Sequence, residues 1–354
     1  QWGSDAVAGV VNIILKNRFK GLELRGQAGV STYGDAGNYR LAALGGVEFG
    51  EGGHIVAGVD YVKNNEVGDI YSRPWGANEY GRVANAAFAT NGQPANIIAS
   101  NVHAGSSPGG LITGPAGFAL RNYEFTSATT VAPFDGGGIR NASLQVGGQG
   151  KSLAQGVSLA PSVERFNPYL HAEYEFSDAL TVMAEASYSQ TTAHLTALPP
   201  RDSSVTILAS NPFIPDVVRT AMGALPSFTI SRLDYDIGLF KVNVTNKTPR
   251  LMAGASGKLG GGWSWDAHVT WAQNDYRQTV PNNRNLTKFR FATDAVRSGN
   301  DIVCRATVPG PSFNAAAAGC VPINLFGNGT PSAAAINYIL DTSVATAKYE
   351  QVTA

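Results

Sequence analysis

Charged residues are scarce in this chain. They make up 15% of the 354 residues, and 26 Lys and Arg balance 26 Asp and Glu, so the formal net charge is zero. Such a balance gives no electrostatic basis for binding nucleic acid or an anionic membrane surface. We therefore expect no nucleic-acid partner.

Long apolar runs are also missing. The run at 10–15 is much shorter than the roughly 18 to 20 apolar residues of a transmembrane helix. The chain opens on Gln1, Trp2 and Gly3, without the charged region and apolar core of a secretory signal peptide. We expect that it begins inside a longer protein, so this opening gives no indication of location.

Cysteine is limited to Cys304 and Cys320, which lie in a stretch rich in Gly, Pro and Ala. An isolated pair in such a stretch predicts a loop disulfide formed in an oxidising compartment. The alternative is a pair of free thiols.

Motifs for catalysis and metal binding are not found. The five His are scattered, and no pair has a metal-ligand spacing. The Gly-Lys-Ser at 150–152 has Gln145 where a phosphate-binding loop needs Gly, and there is no GxSxG motif. The sequence therefore predicts no catalytic residue, metal, cofactor or enzymatic activity. We expect His171 and His268, on polar faces of predicted strands, to be solvated.

The main positive signal is alternation of apolar and polar residues with a period of two, which predicts β-strands. In the segment 263–276, Trp263 and Trp265 fall on one face, and Asp266 and His268 fall on the other. The segments with this pattern are 22–32, 38–49, 54–63, 166–176, 180–190, 250–259, 263–276 and, most weakly, 343–354.

The predicted strands are long. Most span about 10 to 14 residues, whereas globular strands usually have ~5 or 6 and a tilted membrane-crossing strand needs ~9 to 11. Length and alternation favour an all-β fold, an antiparallel transmembrane β-barrel with one face toward lipid and one toward a wet lumen. A soluble sandwich predicts the same alternation, but with shorter strands.

The connections alternate in length. Tight turns are predicted near 51–53, 177–178 and 260–262, with long loops between them. Outer-membrane barrels combine short periplasmic turns with long external loops, and structureless loops of this length are unexpected in a compact soluble domain. The short link at 34–37 breaks the rhythm. The long loops are about 64–165, 195–247 and 279–342, with short helices predicted at 215–224, 291–297 and 332–340.

Aromatic residues allow two interpretations. One group, placed near the turns, predicts an interfacial aromatic girdle, with ordinary β-sheet packing as the alternative. Trp75 differs because it lies in a long loop, where it either contacts ligand or anchors the loop. The girdle group comprises Phe49, Phe176, Tyr188, Trp263 and Trp265.

Residues 2–16 read WGSDAVAGVVNIILK. This segment resembles the closing motif of the plug domain in TonB-dependent outer-membrane receptors, with Trp2 where the family usually has Tyr. Softer similarity to the large receptors of sphingomonads and caulobacters lies at 211–213, 263–266 and 304–327. The plug-end positions that carry the resemblance are Gly3, Ser4, Asp5, Gly9 and Asn12.

The resemblance implies a fragment in which 1–17 end the plug domain and 18–354 form the N-terminal part of the barrel, roughly eight of about 22 strands. It also implies a bacterial outer-membrane location. The function it implies is uptake of a scarce ligand, such as a siderophore, cobalamin, glycan or peptide, bound by plug and external loops. The implied partner is the TonB energy-coupling complex, acting through a region N-terminal to this sequence.

Two other functions remain open. A passive outer-membrane porin keeps the barrel but has no plug, and residues 2–16 argue against it. A secreted all-β binding or adhesion protein would show the same alternation without entering a membrane.

Overall fold

The computed structural model describes residues 16–141 and 143–354. The plug-end motif from Gly3 to Asn12 lies outside these residues. The strands are β1 Gly21–Gly29, β2 Asn38–Phe49, β3 Gly53–Asn64, β4 Gly81–Ala84, β5 Asn96–Ala99, β6 Val102–Ala104, β7 Leu111–Gly114, β8 Tyr123–Phe125, β9 Val131–Pro133, β10 Ile139–Arg140, β11 Leu144–Val146, β12 Ser162–Ser177, β13 Leu180–Thr196, β14 Arg201–Leu208, β15 Ser227–Leu233, β16 Lys241–Gly260, β17 Trp263–Arg284, β18 Ala295–Ser298, β19 Asp301–Cys304 and β20 Leu340–Thr353. The α-helices are α1 Phe88–Asn91, α2 Asp216–Met222, α3 Leu286–Thr293 and α4 Ala333–Ile339, and short 3₁₀ helices span Ile70–Ser72, Pro74–Asn78, Arg305–Thr307 and Ala315–Ala317.

Eight long strands form one antiparallel sheet, the main sheet, in the order β1-β2-β3-β12-β13-β16-β17-β20. The order follows the chain, so each long strand pairs with the next. The shortest has 9 residues and the longest 22. The prediction of an antiparallel, mostly β chain is confirmed. Within the described residues the main sheet is open, with β1 and β20 at its edges. None of the described helices is long and apolar enough to cross a membrane.

One face of the main sheet is apolar from edge to edge. The register pairs Leu170 with Ala186, Ala186 with Leu251, and Leu251 with Trp271. We call this side the apolar face. No other element packs against these side chains in the described part of the chain. An exposed apolar surface of this extent marks an interaction site. Its exposed members include Leu22, Leu24, Leu41, Val47, Phe49, Val59, Leu170, Phe176, Leu251, Trp263, Val269 and Val352.

Several strands extend beyond their predicted bounds, always at the same end of the sheet. β16 begins at Lys241 rather than at 250, and β17 ends at Arg284 rather than at 276. On the face of Leu251 the added residues Asn243 and Thr245 are polar, whereas Val242 and Val244 fall on the opposite face, so the alternation of the predicted strand does not continue there. The backbone ladder continues because its hydrogen bonds do not depend on side-chain polarity.

Short turns close one end of the main sheet and long connections leave the other. At the turn between β16 and β17, Gly260, Gly261 and Gly262 have φ values of +83°, +59° and +85°. Glycine adopts this left-handed region without the steric cost that a Cβ imposes. The link between β1 and β2 is short, as predicted. We call the long connections the first (65–161), second (197–240) and third (285–339), and together the cap.

The cap has a hydrophobic core of its own. A five-stranded sheet in the order β14-β15-β7-β8-β9 joins its first and second connections. Phe125, Phe228 and Phe326 come one from each connection and meet in this core. The Phe125 ring centroid lies 4.7 Å from that of Phe326 and 6.4 Å from that of Phe228. The three predicted loops are therefore one folded unit.

A buried charge network joins the cap to the main sheet. Arg232 and Asp234 are fully buried and paired with each other. Arg284, at the end of β17, donates to Asp202 at 2.6 Å and to Asp234 at 2.9 Å. Arg232 also donates to the carbonyl oxygen of Leu325 at 3.2 Å. Because these groups come from the sheet and from the second and third connections, the network fixes their mutual position.

Two of the three predicted loop helices are present. α2 and α4 fall within 215–224 and 332–340. The prediction at 291–297 is wrong: the helix is α3, and β18 follows it. Asn285 caps α3, since its side chain accepts from two backbone N–H groups of the first turn. Later in the same connection, Cys304 and Cys320 form a disulfide.

Candidate functional site

The face opposite the apolar face, which we call the polar face, carries a buried polar cluster at its centre. Glu185 on β13 accepts hydrogen bonds from the Tyr169 hydroxyl at 3.0 Å and from Arg250 Nη1 at 3.0 Å. His171 Nδ1 lies 3.2 Å from the same carboxylate, and its Nε2 lies 3.4 Å from Glu173. His171 is fully buried, so the expectation that it is solvated is wrong. His268 is more than half exposed.

The segment that enters β1 runs across this polar face. Arg18 Nε donates to Glu173 Oε1 at 2.5 Å, and Arg18 Nη2 donates to Glu175 Oε2 at 3.4 Å. Both acceptors lie on β12, which β2 and β3 separate from β1. Lys20 Nζ pairs with Glu48 at 2.7 Å. Residues 16–20, which enter β1, therefore lie over the polar face rather than outside the sheet.

A cleft of 350 Å³ opens between this entering segment and the strands. Its walls combine acidic and basic side chains with Asn167 and Tyr169. Charges of both signs and hydrogen-bonding groups stand side by side in this cleft, next to small apolar residues such as Ala42 and Ala43. The charged residues that line it are Lys16, Glu23, Arg25, Arg40 and Asp60.

A second cleft, of 480 Å³, lies in the cap between β14 and α3. Leu208 and Leu286 are partly exposed there and provide an apolar surface. Arg290 and Thr206 provide hydrogen-bond donors beside them, whereas the Thr293 hydroxyl donates to the carbonyl oxygen of Arg290 at 3.0 Å. A cleft with an apolar wall and a few polar groups is the usual form of a small-molecule site. It lies within the loops at 195–247 and 279–342 that were predicted to bind ligand, although the sequence did not indicate these residues.

Trp75 lies apart from that cleft. It belongs to the 3₁₀ helix Pro74–Asn78 in the first connection and is 54% exposed. Tyr71 and Tyr80, on either side of it in sequence, are also exposed. The ring of Trp75 is thus available for contact with a ligand, but the structure does not bring it to the cleft between β14 and α3.

The loop between β1 and β2 is held against the cap near this aromatic stretch. Arg73 makes two bonds to the Asp35 carboxylate, at 2.7 and 2.9 Å, and its guanidinium lies 4.5 Å from the centre of the Tyr33 ring. The bonds from Arg73 and from the Ser31 hydroxyl hold the pKa of Asp35 below its ordinary value. The short connection between β1 and β2 therefore packs against the cap, although it is shorter than the other connections at this end of the sheet.

Aromatic side chains mark both borders of the apolar face. At the turn end, the Tyr174 ring lies 5.8 Å from that of Phe49 and 4.6 Å from that of Phe176. Tyr188, predicted near a turn, lies instead in the middle of β13, and its hydroxyl donates to Gln190 at 2.8 Å. It stands where the apolar side chains of β13 give way to polar ones. Trp263 and Trp265 are at the turn end, as predicted.

Residues 16–141 and 143–354 contain no cluster of His, Cys, Asp and Glu arranged to hold a metal ion. No protein-family model matches the chain, and no curated protein sequence matches it. Among solved structures, a Salmonella typhi OmpF complex with daunomycin aligns with 94% of this chain and 95% of that chain, at 9% identity and a TM-score of 0.08. A TM-score this low does not indicate a common fold.

Proposed function

We propose that this chain is the wall and external cap of an outer-membrane receptor of the TonB-dependent type, which imports a scarce ligand. The observation that carries the proposal is the main sheet. Its long strands pair in chain order, with an exposed apolar face on one side and charged residues on the other. In an antiparallel membrane barrel the first side meets lipid and the second lines the lumen.

The apolar face has the height that a bilayer requires. On β17 it runs from Trp263 to Trp271, and on β13 from Leu180 to Tyr188, which is nine residues in each case. A tilted strand crosses the hydrocarbon core with about 9 to 11 residues. The aromatic residues at its borders agree with the aromatic girdles at the two membrane interfaces.

The entering segment supports a plugged receptor rather than an open porin. Because Arg18 pairs with β12, residues 16–20 lie over the face that would line the lumen. The resemblance of residues 2–16 to a plug-domain end agrees with this path. Exposed ion pairs of this kind contribute roughly 0 to 1 kcal/mol each. They would orient the plug exit without preventing its displacement during transport.

The cap would make the first contact with the ligand. Its cleft provides donors from Arg290 and Thr206 beside the apolar surface of Leu286. The polar face then provides hydrogen-bonding groups, such as Asn167, along the inner wall. In this scheme the chain captures and guides its ligand without covalent chemistry, and energy arrives through TonB acting on the plug.

Location and topology can be tested on the full-length protein in its bacterial host. We expect it in the outer-membrane fraction, with gel migration that changes on heating. An epitope inserted after Gly299, in the cap, should bind antibody on intact cells, whereas one inserted after Asp178, in a turn, should bind only after lysis. Binding of the periplasmic domain of TonB to the purified protein separates a receptor from a porin. A protein that stays in buffer without detergent would contradict the proposal.

A matched pair of substitutions tests which face meets lipid. Val269→Arg places a charge on the apolar face of β17, and we expect it to cost about 2 to 4 kcal/mol of folding free energy in a bilayer. His268→Arg puts the same side chain on the opposite face of that strand and should cost much less. Urea titration of the full-length protein folded into vesicles measures both. Equal costs would mean that the apolar face does not contact lipid.

A further inference from the structure

Three basic side chains lie just beyond the apolar face at its cap end. Lys247 on β16 and Lys348 on β20 flank Asp275 of β17 in the register, and Arg277 lies two residues further along β17. Side chains alternate between faces, so all three project to the same side as Leu251. Lys247, Arg277 and Lys348 are exposed. They form a basic cluster on the side of the sheet that is otherwise apolar.

The cluster has little internal neutralisation. Among the described residues, Lys247, Arg277 and Lys348 make no ion pair within 4.0 Å. Asp275 accepts instead from the Gln273 amide at 2.6 Å. The recess has a volume of 440 Å³ and is lined by the three cations and the Asp275 carboxylate. Glu350, two residues from Lys348 on the same face, accepts from Trp271, so three cations stand against two carboxylates and the net charge is positive. The hydroxyls of Thr245 and Thr346 also line the recess and add hydrogen-bond donors.

The height of the cluster matches a headgroup layer. Lys247 lies four residues beyond Leu251, which is about 13 Å along the strand and about 9 Å along the membrane normal for a tilt near 45°. The polar layer on each side of the hydrocarbon core is roughly 5 to 8 Å thick. Trp271, whose Nε1 donates to Glu350 at 2.7 Å, marks the border between the two regions. Lys247 and Lys348 therefore lie at the outer edge of this layer, and Arg277, six residues beyond Trp271, lies about 14 Å above the border. Their long side chains can extend down along the strands, which brings the charged ends to the lipid headgroups.

We propose that Lys247, Arg277 and Lys348 bind the phosphate groups of the glycolipid in the outer leaflet of the outer membrane. The proposal rests on the proposed function, because the cluster lies in the outer leaflet only if the cap faces the outside of the cell. Lysine and arginine are the usual partners of phosphate, and the threonine hydroxyls complete the set of donors. The partner is thus a phosphorylated membrane lipid and not the transported ligand.

The test compares two triple variants of the full-length protein, purified in detergent. Lys247→Gln, Arg277→Gln and Lys348→Gln remove the cluster. Arg82→Gln, Lys258→Gln and Arg297→Gln remove three exposed cations elsewhere. The probes are lipid A with both phosphates, dephosphorylated lipid A and inorganic phosphate. Each charge near a membrane surface contributes about five-fold, so the first variant should bind phosphorylated lipid A about one hundred-fold more weakly.

The outcomes separate the two proposals. The control variant should bind lipid A like the unmodified protein, and dephosphorylated lipid A should bind all three proteins weakly and equally. Unchanged affinity of the cluster variant, or equal binding of the two lipids, would overturn the phosphate site while leaving the receptor function intact. Displacement of lipid A by inorganic phosphate at equal concentration would assign the cluster to free phosphate and overturn the lipid assignment. Failure of the receptor function would appear earlier, in the fractionation experiment.

Discussion

Substitution of Arg232 by methionine is expected to destabilise the cap by about 3 to 5 kcal/mol, the cost of removing one partner from a buried ion pair. The Arg232 guanidinium donates to Asp234 and, at 2.6 Å, to Asp236. It also donates to the carbonyl oxygens of Leu325 at 3.2 Å and Gly327 at 3.1 Å. Methionine retains much of the side-chain volume but removes the buried cation, so Asp234 keeps only the bond from Arg284 and Asp236 the bond from the Gly329 N–H among those described. Hydrogen exchange of cap amides in increasing urea measures the free energy of cap opening.

Arg297→Met is the matched control, because Arg297 is exposed on β18 and has no ion pair in the described part of the chain. Its effect should stay within about 0.5 kcal/mol. Adding Asp234→Asn to Arg232→Met removes one of the two carboxylates that lost Arg232, while Arg284 keeps Asp202 as its partner, and should restore part of the stability. If Arg232→Met and Arg297→Met have equal effects, the network does not hold the cap together.

Truncation of Phe125 to alanine is the second substitution that we expect to destabilise the cap strongly. Phe125 is 1% exposed and contacts Phe228 and Phe326, so its ring joins all three connections. Phe→Ala in a packed core costs about 3 to 5 kcal/mol, since apolar burial is lost and a cavity remains. We expect the amide hydrogens of peptides from all three connections to exchange faster, and to the same extent. Peptides from the ladder between β16 and β17 should keep their protection.

Phe88→Ala provides the comparison, because Phe88 lies in the first connection but is 53% exposed. It should change the stability of the cap by less than about 1 kcal/mol. Loss of protection limited to the first connection in Phe125→Ala would mean that the connections fold independently. That result would contradict a shared core.

Elements whose structure depends on residues close in sequence could be predicted from local sequence patterns. The strands around 38–49, 180–190 and 263–276 were predictable because one face is apolar and the other polar, and their observed starts agree closely. The turn at 260–262 was predictable from its three glycines. The apolar face followed directly, since a period of two assigns every second residue to it.

Other features depended on interactions that alternation does not reveal. α3 begins after Asn285, whose side chain caps its first turn, and this capping signal outweighed the pattern that suggested 291–297. His171 shared its strand face with polar residues and was therefore expected in solvent. Its burial depends on Glu185 from the neighbouring strand and on Glu173 of its own. Nor did any local signal suggest that Lys247 and Lys348 would flank the same strand.

The sequence by itself determined which segments are the long strands of the main sheet, which side of each of them is apolar, and where short turns and long connections alternate. These properties arise from neighbours a few residues apart. Only the tertiary structure showed that the long connections share one core, because Phe125, Phe228 and Phe326 are about a hundred residues apart and have no common local pattern. It alone also placed Arg18 against β12, since an ion pair between residues 155 positions apart depends on how the chain crosses the sheet.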